Sequence, residues 1–173
     1  MTAQAKVIAD PHDQVAAYED KSKAYELAID QIDSMLEGES HPIAKMATIV
    51  CILREHLPYY FWTGFYLVYD QELIVGPYQG TFGTLHISFG NGVCGTAAQE
   101  RRTQVVEDVC KFPGHIVCDS RSASEIVVPV FNKKKELIAV FDVDSTAKGS
   151  FDAVDQKYLE KIFDMHFARA TLD

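Results

Sequence analysis

The chain has 173 residues, 47% hydrophobic, 24% charged and 11% aromatic, which allows one domain with a proper core and argues against bulk disorder. Its formal net charge of −9 at pH 7 speaks against nucleic acid or an anionic membrane as the main partner, because both reward basic patches. The opening MTAQAKVIAD has no apolar stretch and no run approaches about 18 apolar residues, so a cytoplasmic protein is expected, its four cysteines read as thiols rather than a disulfide framework.

Residues 1–11 are polar and read as a frayed N-terminus of a single domain spanning 1–173. Residues 13–37 follow a helical pattern, with Tyr25, Ala28, Ile29, Ile32, Met35 and Leu36 at three- and four-residue steps. Pro42 suits the first turn of a second helix whose apolar stripe is Ile43, Met46, Val50, Leu53 and Leu57, ended by Pro58. Cys51 lies among apolar neighbours there and reads as a core thiol.

The period then changes. Residues 59–69 and 72–75, rich in aromatic and β-branched side chains and split by Asp70-Gln71, predict a hairpin that Gly76-Pro77 interrupts. Residues 85–89 predict a short strand, 93–102 a helix beneath a glycine turn, and 125–131 and 136–144 two strong strands joined by a polar turn. Ser150 can cap a last helix over 151–170, with Asp152 and Asp155 at its positive end and Val154, Tyr158, Ile162 and Met165 facing inward. Helices before and after hairpin-linked strands give an α+β fold, an antiparallel central sheet with N- and C-terminal helices packed on it. The irregular stretch 103–124 is long for a compact domain, and such loops are commonly functional.

Three cysteines, Cys94, Cys110 and Cys118, fall between Gly90 and Glu125. Cys94 sits near a predicted helix N-terminus, where free N–H groups and the helix dipole stabilise a thiolate. Cys118 lies beside His115 and Asp119, polar neighbours able to tune it. Two thiols flanking one loop suit a nucleophile and a resolving partner that return through a disulfide. Cys94, Cys110, His115 and Cys118 also offer four zinc ligands, but they lack any C-x-x-C knuckle, so no metal is expected. A dinucleotide-binding reading of the glycines is weak, and no Walker motif exists.

Acids carry the second signal. Asp142 and Asp144, two apart on a strand, point to one face. Such a pair on an apolar strand is costly unless something cationic or protonated meets it. Glu125 converges on them if the last two strands pair, and three carboxylates would suit a substrate ammonium; solvent-facing acids at a sheet edge are the alternative. Trp62 and Tyr66 share a face of the first strand, either walling a small apolar group or simply packing a core.

The segments WTGFY (62–66), GPYQG (76–80), GVCGTAA (92–98), FPGHIVCDS (112–120), SEIVVP (124–129) and FDVDS (141–145) closely resemble the free methionine-R-sulfoxide reductases, which are GAF-domain enzymes. The resemblance covers nearly the whole chain. It implies reduction of free methionine R-sulfoxide by thioredoxin as external reductant, with no bound cofactor, and a homodimer. By the same resemblance Cys118 is the nucleophile, Glu125, Asp142 and Asp144 hold the substrate amino group and protonate the sulfoxide oxygen, and Trp62 and Tyr66 receive the methyl group. Many members carry a further cysteine where this chain has Thr84. Cys94 then becomes the best resolving candidate, and Cys110 remains the alternative. A GAF-type binding or sensor module without turnover is the competing reading.

Overall fold

The computed structural model describes residues 20–114 and 119–168. The expected frayed terminus, the first turns of the first predicted helix, His115, Cys118 and the end of the last helix lie outside these residues. The elements are α1 (Lys21–Met35), α2 (Pro42–His56), β1 (Trp62–Tyr69), β2 (Glu72–Gln79), β3 (His86–Ser88), α3 (Gly92–Glu100), β4 (Gln104–Val106), β5 (Ser124–Phe131), β6 (Leu137–Ser145) and α4 (Ala153–Phe163). A single 3₁₀ turn, Val109–Lys111, follows β4, and a π-helical turn, Asp164–Ala168, continues α4. None of the described helices is long and apolar enough to cross a membrane.

The six strands of the described residues form one antiparallel sheet in the order β3-β2-β1-β6-β5-β4. Asp70 and Gln71 both take positive φ (43° and 67°), the backbone a two-residue hairpin with right-handed twist requires. The expected interruption at Gly76-Pro77 does not occur: β2 continues to Gln79. A proline is tolerated there because β3 pairs only with Glu72–Ile74 and the β1 register shifts between Gly64 and Tyr66.

Strict alternation along the central strands builds two cores. Phe65, Ile126, Val128, Val130, Ala139, Phe141 and Val143 pack with α1, α2 and α4, while Trp62, Tyr66, Val127 and Val140 face α3 with Cys94, Ala97 and Ala98. Phe141 is fully buried against Phe65 and Phe163; truncating such a residue to Ala typically costs about 3–5 kcal/mol. In α2 the predicted stripe holds for Met46, Val50, Leu53 and Leu57, but Ile43 is 40% exposed. Cys51, expected in the core, is exposed. A helix turns roughly 100° per residue, so the position after buried Val50 already leaves the core face.

The cap of α4 also differs from expectation. Asp152 is the N-cap and forms a reciprocal capping box with Asp155, whereas Ser150 bonds Ser145 Oγ and Ala147 O. Asp155, fully buried, accepts from Tyr25 Oη (2.9 Å), Tyr59 Oη (2.5 Å), the Asp152 backbone N–H (2.9 Å) and the Lys21 ammonium (2.5 Å). This ties α1 and the entry to β1 onto α4.

Candidate active site

The register of the sheet assembles the site on the face that α3 covers. One row across the strands reads Trp62, Asp144, Glu125, Val106, and the next reads Gly64, Asp142, Val127. Directly opposed residues bring their side chains to about 4.5–5.5 Å, so Glu125 and Asp144 are neighbours, with Asp142 one row behind. Gly64 is dictated by crowding, since a Cβ there would meet Tyr78 Cβ at 2.3 Å.

The expected convergence of Glu125, Asp142 and Asp144 is therefore what the fold produces. The sheet-edge alternative fails, because β6 is an inner strand and the three acids are only 6%, 6% and 9% exposed. Among the described residues no lysine or arginine pairs with Asp142 or Asp144. Burial pushes the Asp142 carboxyl up to about 7, partly offset by hydrogen bonds with Cys94 and Glu125. Burial, and then the Asp142 charge, holds Asp144 well above the ordinary carboxylate range. Two carboxyls hydrogen-bonded to each other must share a proton, so the site has an acid to offer near neutral pH.

Cys94 occupies the third position of α3 and is 4% exposed, its Sγ 4.0 Å from Glu125 Oε1. The expected thiolate does not form. Burial raises this thiol far above its usual value, and the neighbouring Asp142, Glu125 and Asp144 push it the same way. A helix terminus contributes only about 0.3–1 kcal/mol at an ordinary site, too little to offset desolvation beside several acids. Cys110 is exposed on the 3₁₀ turn.

Trp62 and Tyr66 stack at a centroid distance of 5.7 Å and an interplanar angle of 22°, and Tyr78 also stacks on Trp62, at 5.3 Å and 17°. The loop from Gly80 to Thr84 lies over this wall. Trp62 Nε1 donates to Thr81 O (3.0 Å), and a Cβ on Gly83 would meet Trp62 at 3.0 Å and Tyr66 Oη at 3.2 Å. Thr84 is half-buried in the same loop.

Cys118 lies outside the described residues, but the residue after it is firmly placed. Asp119 accepts from Thr81 Oγ1 (2.9 Å), from the Arg121 backbone N–H (2.9 Å) and from the Arg121 guanidinium (3.0 and 2.9 Å). Those contacts, Arg121 foremost, hold its carboxyl well below the usual range. Arg121 in turn stands 4.6 Å over the ring of Phe61, the residue just before β1. The chain leaving Cys118 is thus fastened to the loop that touches Trp62. The Asp-x-Arg spacing was a legible hint of the ion pair, but nothing local in the sequence marks Thr81 or Gly83.

Comparison with known proteins agrees with this geometry. The GAF domain family matches residues 40–164. The chain is 47% identical over 143 residues to GAF domain-containing protein A of Dictyostelium discoideum, covering 82% of this chain and 89% of the relative. It is 41% identical over 130 residues to the free methionine-R-sulfoxide reductase of Escherichia coli, covering 75% and 78%. It superposes with a TM-score of 0.79, at 40% identity and 83% and 87% coverage, on the free methionine-R-sulfoxide reductase of Neisseria meningitidis in complex with its substrate. The buried acids, the aromatic wall and these relatives lead to one assignment: the chain belongs to the GAF-domain family of free methionine-R-sulfoxide reductases.

Proposed function

We propose that the protein reduces free L-methionine (R)-S-oxide to L-methionine through a cysteine sulfenic-acid and disulfide cycle regenerated by thioredoxin. The observation that carries this reading is the buried trio of Glu125, Asp142 and Asp144, where among the described residues no lysine or arginine pairs with Asp142 or Asp144. Buried carboxylates without a cation are held at a cost that a guest ammonium removes on binding.

In this reading the substrate ammonium rests against the acids and its methyl group against Trp62 and Tyr66. The Cys118 sulfur attacks the sulfoxide sulfur while the carboxyl proton shared near Asp142 goes to the sulfoxide oxygen. Methionine leaves and the oxygen remains on Cys118 as a sulfenic acid, so the substrate sulfur is reduced and the cysteine oxidised. The Cys94 thiol then displaces that oxygen as water, giving a Cys94–Cys118 disulfide that a thioredoxin dithiol reopens. Glu125, 4.0 Å from Cys94 Sγ, is placed to take the thiol proton, which Cys94 requires because its environment disfavours the thiolate.

The test is thioredoxin-coupled NADPH consumption with free methionine R-sulfoxide, its S epimer and a sulfoxide-containing peptide. Turnover is expected with the first alone, since a pocket closed around both termini rejects a peptide; equal rates on the peptide would overturn that part. Cys118→Ser should abolish methionine release in a single turnover. Cys94→Ser should spare that first release and stop recycling. Recycling that survives in Cys94→Ser but fails in Cys110→Ser would transfer the resolving role to Cys110.

A further inference from the structure

The sulfur of Cys94 and one carboxylate oxygen each from Glu125 and Asp142 all lie within 4.8 Å of one another where α3 packs on β5 and β6. We propose that these three residues form a binding site for one soft divalent cation of the zinc class, whose occupation silences the protein. The ligand set differs from the cysteine and histidine quartet weighed from the sequence, of which it retains only Cys94.

Reach is the first argument. A zinc-class ion about 2.3 Å from sulfur and about 2.0–2.2 Å from oxygen holds the two roughly 3.6 Å apart in a tetrahedral site. The observed Cys94 Sγ to Glu125 Oε1 separation of 4.0 Å needs only a few tenths of an ångström of adjustment. The second argument is the buried Oδ1 of Asp142, which has no hydrogen-bond partner among the described residues although its residue is 6% exposed. A buried acceptor left in that condition is costly, and a cation satisfies it. Rigidity is the third. Cys94 is fixed in the first turn of a helix and the two acids on adjacent, paired inner strands, so the donors are held together without loop folding. A fourth coordination position remains for water.

Binding is an exchange of protons for metal. The Cys94 S–H bond breaks, its proton leaves to solvent, and a sulfur–metal bond forms with no change in oxidation state; the proton between Glu125 and Asp142 leaves as well. The site itself stands on geometry, while its effect on turnover rests on the function proposed above. In that function the metal removes the thiol that reopens the cycle and the acids that hold the substrate ammonium, so cation and substrate exclude one another.

The probe is Cd²⁺ titrated into the reduced full-length protein, followed by the ultraviolet thiolate-to-cadmium band and by calorimetric stoichiometry. One ion per chain is expected, with the band displaced by Zn²⁺. Cys94→Ser should lose the band. Asp142→Asn, which keeps the side chain's shape, should weaken affinity by at least the roughly tenfold that losing even an outer-shell partner costs. Cys110→Ser and Cys118→Ser should keep it. A band that survives Cys94→Ser, or that vanishes in Cys118→Ser or Cys110→Ser, overturns the site. Cadmium binding as expected in a protein with no metal-free sulfoxide turnover would leave the site standing and defeat the functional reading; turnover without the band would do the reverse.

Discussion

Two groups of buried aspartates in this fold live under opposite rules. Asp155, beneath α1 and α4, is surrounded by donors: two tyrosine hydroxyls, a backbone N–H and the Lys21 ammonium. Asp142 and Asp144, on the other face of the same sheet, are almost as buried, yet pair with no lysine or arginine among the described residues, and Asp142 Oδ1 has no hydrogen-bond partner there. The first arrangement spends its charge inside the fold and contributes specificity to helix docking. The second leaves charge and hydrogen-bonding capacity for something that arrives from outside. Burial alone therefore does not mark a candidate functional acid; burial without internal compensation does.

The sharpest way to break this comparison is to remove the compensation on the structural side. Lys21→Met keeps the aliphatic stem and strands the Asp155 charge, which should lower unfolding free energy by about 3–5 kcal/mol. Urea denaturation measures it. The site on the opposite face should be untouched, so kcat/KM of the protein that remains folded should not change. An equal loss of activity per folded molecule would mean that the two faces are coupled.

Next in size is Asp142→Asn. In the proposed function it removes a binding charge and a proton source, and about 10²-fold in kcat/KM should be lost. Its effect on stability should have the opposite sign from that of Lys21→Met. The folded Asp142 titrates near 7, above its ordinary value of 3.8, so between those values the native state binds more protons than the unfolded chain. Native stability from this group is present below about 4 and is lost as pH rises through about 7. The amide variant lacks that slope, and its stability relative to the parent should increase from pH 4 to 7 and then level off. Denaturation curves at pH 5 and pH 8 decide this. A constant difference between the two proteins would show that Asp142 is compensated after all.

Much of the candidate face was legible because it depends on local rules. The two-residue spacing of Asp142 and Asp144, the pairing of two strong strands across a polar turn and the shared face of Trp62 and Tyr66 all follow from the strand period. What escaped depends on distant partners. Cys94 is kept protonated first by its burial and then by acids 31 to 50 residues away, which together outweigh the helix terminus it could be seen to occupy. Cys51 was misplaced because an apolar neighbourhood in sequence does not fix the angle at which a helix meets the core. The donors around Asp155 come from α1, from the approach to β1 and from α4's own cap, separated from it by as many as 134 residues. The capping box of α4 was available locally, in the Asp152 and Asp155 spacing, but Ser150 is an equally good capping type two positions earlier.

Tyr59→Phe is the finest probe of the same contrast. It deletes one hydroxyl from the four donors to Asp155 and leaves the ring, which packs edge-on to Tyr60 and against Phe151. Because Tyr25, Lys21 and the Asp152 N–H still meet the carboxylate, the loss should be that of one charge-assisted hydrogen bond, about 1.5–3 kcal/mol and at the low end. The KM for free sulfoxide should stay unchanged, since Tyr59 belongs to the helix-side core and not to the α3 face. A double-mutant cycle with Lys21→Met measures how far the donors act as a unit. A loss in Tyr59→Phe as large as that of Lys21→Met would mean that the carboxylate depends on every donor at once, and that its compensation is no more secure than that of Asp142.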